Sequence, residues 1–132
     1  MLLSKIFPAA DNCLYDVPKN DACLILSVRS WFVMRHAGED PLPHISRYLG
    51  SSIIAMRFGV MMEVVQQIWP DRFAICRPCC RGVSIDEMLL IRLIRAAREG
   101  AAPVFDQLCA EMIGRDGRHL LYHHDVRLCV DE

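Results

Sequence analysis

A chain of 132 residues with 53% hydrophobic and 23% charged side chains is one ordinary domain, long enough to bury roughly two thirds of the surface its unfolded form exposes and too apolar to stay disordered. Its formal net charge of −1 provides no overall field to draw in nucleic acid or an anionic membrane surface. The mean hydropathy of +0.21 leaves surplus apolar surface on a small domain, for which a homo-oligomeric interface, a homodimer in the simplest case, is the expected destination.

Residues 1–19 mix apolar side chains with Pro8, Asn12, Asp16 and Pro18 and read as an irregular arm lying on the core through Leu2, Ile6, Phe7, Leu14 and Tyr15. The opening segment has no charged lead, long apolar run or small-residue cleavage site, so a secretory signal is not expected and a cytoplasmic location is. No apolar stretch reaches the roughly 18 residues of a membrane span. Asn20 or Asp21 is suited to cap a first helix over residues 22–36, which is almost uninterrupted in apolar side chains from Cys23 to Met34. Gly38, with Pro41 and Pro43 beyond it, ends that helix.

Residues 42–69 are helical again, but the apolar face moves. Leu42, Ile45, Leu49, Ile53, Met56 and Val60 share one side in the first half, whereas Ile54, Phe58, Met61, Met62, Val65, Ile68 and Trp69 share another in the second. Either the helix breaks near Gly50-Ser51-Ser52 or Gly59, or one face meets the core and the other a second subunit. Pro70 and Asp71 end it.

The thiol-rich turn Cys76-Arg77-Pro78-Cys79-Cys80-Arg81-Gly82 follows, with Phe73-Ala74-Ile75 as a short extended lead. Ser84-Ile85-Asp86-Glu87 has the S-x-x-E form of a capping box, and its acids lie where the helix dipole favours them. The helix it opens buries Met88, Leu89, Leu90, Leu93, Ile94 and Ala97, shows Arg92, Arg95 and Arg98 to solvent, and closes at Gly100. Pro103 starts a shorter helix carrying Phe105, Leu108, Cys109 and Met112, with Gly114 as its stop. Arg115 to Arg118 reads as a turn, and the tail fits a helix better than the strand that Val126, Leu128 and Val130 would permit. The fold class is therefore all-α, a single irregular bundle of four to six helices, leaving room for a short strand pair near the cysteine turn and the C-terminus.

Seven cysteines form an odd count that suits reduced thiols or a metal site better than a disulfide framework. The C-x-x-C pair places two sulfurs on one turn, able to ligate a soft metal or to form a strained disulfide, and Cys80 adds a third thiol. His119 and His123, at i,i+4 spacing, present two imidazoles on one helix face, so Cys76, Cys79, Cys80, His119 and His123 are the candidate ligands, with Cys13, Cys23, His44 and His124 as further donors. No cofactor is expected to be required, and zinc is the metal such a set would suit. The competing chemistry is redox: Cys76-Arg77-Pro78-Cys79 resembles the dithiol motif of the thioredoxin family, and Arg77 and Arg81 would favour thiolate. That family opens a helix with its first cysteine, whereas here the helix opens at Ser84. The third reading is packing, with the cysteines as small soft residues filling a tight turn.

Nucleotide, hydrolase and metalloprotease signatures are absent. The layout around Cys76-Arg77-Pro78-Cys79-Cys80-Arg81 and Ser84-Ile85-Asp86-Glu87-Met88-Leu89-Leu90 resembles that of a group of small alphaproteobacterial proteins of unknown function. The resemblance implies a bacterial source and brings no catalytic residue. The expected function is a non-enzymatic interaction or regulatory module with a structural or metal-linked cysteine turn; the alternative is a thiol-based redox protein or sensor.

Overall fold

The computed structural model describes residues 13–76 and 81–130. The arm expected over residues 1–19 thus lies outside the described residues up to Asn12, as do Arg77, Pro78, Cys79 and Cys80 of the cysteine turn. What is described of the arm is one 3-10 turn, Leu14–Asp16, with Leu14 buried in the core.

Among the described residues six α-helices follow: α1 (Lys19–His36), α2 (Leu42–Leu49), α3 (Ser52–Ile68), α4 (Ile85–Arg98), α5 (Ala102–Cys109) and α6 (Arg115–Val130). Their contacts close a ring, α1 on α2, α2 on α3, α3 on α6, α6 on α4 and α4 back on α1, with α5 seated on α4 and α6. One contiguous core, including Ile25, Val28, Trp31, Phe58, Met62, Leu90, Leu93 and Phe105, fills the ring. The all-helical bundle expected from the periodicity is present. The strand pair is not: among the described residues the sole β pairing is an isolated antiparallel bridge between Cys13 and Gly82.

Helix α1 begins at Lys19 after Pro18, without a side-chain cap, rather than at Asn20 or Asp21. Asp21 is unavailable for capping because its buried carboxylate is paired with the Arg95 guanidinium of α4. At the other end Gly38 adopts the left-handed conformation (φ 76°), and Glu39 N–H donates to the Met34 carbonyl at 2.8 Å, closing the helix as expected.

The apolar face that moves along residues 42–69 resolves into a break. Gly50, left-handed at φ 74°, ends α2 with its N–H on the Ser46 carbonyl, and the Ser51 side chain caps α3 by accepting from Ile54 N. The two helices diverge by 118°, and Gly59 lies within α3 without interrupting it. No single helix among the described residues is long and apolar enough to cross a membrane; α2 and α3 reach that apolar length only together, across this bend. A Cβ at Gly50 would meet nothing within 4 Å, so Gly50→Ala carries only the backbone penalty of the left-handed region. We expect it to lower stability by about 1 kcal/mol in chemical denaturation; an unchanged midpoint would mean that the break is not set by Gly50.

Helix α4 has the expected capping box, with Ser84 accepting from Glu87 N and Glu87 returning to Ser84 N. Helix α5 places Phe105 and Cys109 inside, Phe105 edge-on to Tyr122 of α6 at 5.0 Å. Helix α6 corrects one expectation, for residues 115–118 are its first turn and not a separate turn. Gly117 sits there because α6 comes close to its neighbours: a Cβ would lie 3.0 Å from Ile113 and 3.4 Å from Ile68. The tail is helical, burying Leu121, Asp125 and Leu128 at helical spacing.

Candidate functional site

The base of the cysteine turn is held by a buried ion pair. Arg29, midway along α1, and Glu87, in the first turn of α4, both have side chains with no solvent exposure, and Arg29 Nε lies 2.9 Å from Glu87 Oε2. Arg29 Nη2 donates to Glu87 Oε1 at 3.0 Å and to the Gly82 carbonyl at 2.6 Å. Glu87 Oε1 also accepts from Ser84 N and Oε2 from Cys76 N, at 2.9 and 3.1 Å. One carboxylate thus receives four N–H donors, the satisfaction a buried charge requires, and ties Cys76 on one side of the turn to Ser84 on the other. A second layer repeats the tie: Ala74 N–H donates to Asp86 Oδ2 at 2.8 Å, and the Ser84 hydroxyl donates to the Ala74 carbonyl at 2.6 Å.

The N-terminal arm joins the same place. Cys13 pairs with Gly82, and Leu14 N–H donates to the Arg81 carbonyl at 2.6 Å. The backbone of Cys13 therefore lies beside the cysteine turn although 63 positions separate it from Cys76 (76 minus 13). Cys13 and Cys76 are both half-buried.

The proposed ligands are distributed as follows. Cys76 sits at the clasp; Cys79 and Cys80 lie outside the described residues. His119 and His123 are exposed on α6, away from the side that buries Leu121, Asp125 and Leu128. Among the described residues no three His, Cys, Asp or Glu side chains are gathered to hold a metal. His123 stacks edge-on with His124 at 5.3 Å, and the His124 imidazole is held below its usual pKa by burial, then by the neighbouring His123 and Arg127 charges. Burial pushes the Cys109 thiol up to about 11, which leaves it protonated and unreactive at neutral pH; its hydrogen goes to the Phe105 carbonyl.

Two features have no counterpart among the expected site residues. Asp125 is buried in α6 with both carboxylate oxygens unbonded, and burial holds its pKa well above the usual carboxylate range. On α3, Ile53, Met56 and Val60 are 55%, 59% and 50% exposed. Their i, i+3, i+7 spacing makes one outward apolar stripe, the second half of the six-residue face that periodicity draws from Leu42 to Val60. Arg29 did leave a signal in the sequence, as the one charged residue inside the apolar run of α1, where a buried cation demands a carboxylate. Compared with protein-family models, with curated proteins and with solved structures, the chain matches none.

Proposed function

We propose that the protein is a non-enzymatic helical interaction module that pairs with a second copy of itself through the outer face of α3. The observation that carries this reading is the stripe Ile53, Met56 and Val60, each at least half exposed. Its three-then-four spacing is that of an a/d seam, the pattern by which two helices bury apolar side chains against each other. A patch of uncharged side chains is self-complementary, as the isologous interface of a two-fold dimer requires. In this reading the cysteine turn belongs to the scaffold: the Arg29–Glu87 clasp joins α1, the N-terminal arm and the start of α4.

Light scattering of the purified protein is expected to give twice the chain mass of 15.1 kDa. The double variant Ile53→Glu/Met56→Glu should run as a monomer with unchanged helical circular dichroism, because both positions are exposed in the single chain. A wild-type mass of 15.1 kDa at micromolar concentration would overturn the dimer. Metal analysis of the same sample separates the two forms of the cysteine turn. About one zinc per chain would make it metal-linked through Cys76, Cys79 and Cys80, and none would leave it to packing and the clasp.

A further inference from the structure

We infer that the cleft between the C-terminal ends of α1 and α3 and the connection after α3 is a binding site for a small organic anion with a flat apolar body, such as an aryl carboxylate. The cleft has a volume of about 740 Å³, within the range of sites that enclose small ligands. Trp31, Phe32, Trp69 and Phe73 line it as one continuous aromatic cluster. Phe32 is edge-on to Trp31 at 5.0 Å and stacked on Phe73 at 5.3 Å, and Phe73 is tilted against Trp69 at 4.9 Å. Trp31, Trp69 and Phe73 are buried and hold the cluster rigid, and the half-buried Phe32 is the ring with surface left for a flat apolar body.

One cation in the cleft specifies the sign of the ligand. Of the two arginines in its lining, Arg35 is neutralised by the Glu63 carboxylate, which leaves Arg72, beside Asp71, to take a ligand's charge. The Arg35 guanidinium lies 4.8 Å above the Trp31 ring and is braced by an ion pair with Glu63, which fixes it beside the aromatic wall. Arg72 is exposed and stands outside the ion pairs that engage Arg29, Arg35 and Arg95. A planar guanidinium at the mouth of an aromatic cleft takes a carboxylate in bidentate fashion while the ligand's ring lies against Phe32, the half-buried ring of the cluster. This inference is independent of the α3 stripe, since Ile53, Met56 and Val60 do not line the cleft.

The chain has two tryptophans and both line the cleft, so their indole N–H signals in a ¹H–¹⁵N spectrum report on it without interference. Titration of the full chain with 2-naphthoate is expected to shift both signals in a saturable way, and 2-naphthamide, which has the same ring and no charge, should bind about tenfold more weakly. Arg72→Gln should remove most of that preference while leaving the amide affinity unchanged, and Phe32→Leu should weaken both ligands together. Three results would overturn the inference: indole signals that stay in place up to about 1 mM naphthoate, equal affinity for acid and amide, or an Arg72→Gln protein that still prefers the acid. A cleft that instead receives a protein segment gives the first of these.

Discussion

Glu87→Ala is expected to cost the fold about 3–5 kcal/mol, the loss associated with removing one member of a buried, hydrogen-bonded ion pair. The cause is the uncompensated charge left behind. Arg29 has no solvent exposure, and without Glu87 its guanidinium keeps the Gly82 carbonyl but no carboxylate partner on α4. Cys76 N and Ser84 N lose their acceptor at the same time, and the capping box of α4 goes with them. Such a loss is a large fraction of the 5–15 kcal/mol that holds a typical domain. The control is the double variant Arg29→Met/Glu87→Met, which removes both charges and fills similar volume; it should recover most of the stability. Urea denaturation followed by circular dichroism reads both. A Glu87→Ala cost below about 1 kcal/mol, the scale of an exposed pair, would show that water reaches the clasp.

Asp125→Asn should act in the opposite direction, raising stability at pH 7 by about 1–3 kcal/mol, the penalty of a buried unsatisfied group that ionises. Asp125 is buried with both oxygens unbonded, and desolvation raises its pKa well above the ordinary 3.8. The folded state thus holds a proton that the unfolded chain releases. Between the unfolded and the folded pKa the native state binds more protons, so stability falls as pH rises through that window and is regained on acidification. Asparagine is the neutral isostere and removes the dependence. The gap between variant and wild type should therefore shrink as pH is lowered from 7 towards 5, in parallel denaturation curves. A gap that stays constant over that range would rule out a titrating buried carboxyl at position 125.

Local signals were read well where a short-range hydrogen bond decides the structure. Ser84 and Glu87 form the capping box that the S-x-x-E pattern announces, and Gly38 and Gly100 close α1 and α4 in the left-handed conformation that glycine alone adopts without strain. Pattern reading failed where a long-range partner competes with a local role. Asp21 is a good N-cap residue by type, yet Arg95 recruits it into an ion pair, and α1 starts earlier. Gly117 belongs to a turn by composition, yet it is helical because its missing side chain admits Ile113 and Ile68. The break expected near Gly50-Ser51-Ser52 is present, and its 118° bend sets Ile53, Met56 and Val60, which are exposed, apart from Leu42, Ile45 and Leu49.

The candidate sites divide in the same way. Cys76, Cys79 and Cys80 stand out in the sequence because thiols two and three positions apart have recognisable chemistry, but nothing local tells what holds such a turn. Arg29 and Glu87 are 58 positions apart (87 minus 29) and Cys13 and Gly82 are 69 apart (82 minus 13), so the clasp exists only once α1, α4 and the arm have come together. The aromatic cleft is likewise invisible as a motif: Trp31 and Phe32 enter from one helix, Trp69 and Phe73 from the end of another and the connection beyond it.

By itself, the amino-acid sequence determined that this chain is helical, that α4 opens on a capping box, and that glycines close α1 and α4. Those properties depend on periodicity, on single glycines and on hydrogen bonds spanning a few residues. The tertiary structure alone decided which apolar faces are buried, which cysteine lies beside the cysteine turn, and which carboxylate is left without a partner. Each of these depends on contacts between segments far apart in the chain, and spacing along a sequence carries no record of them.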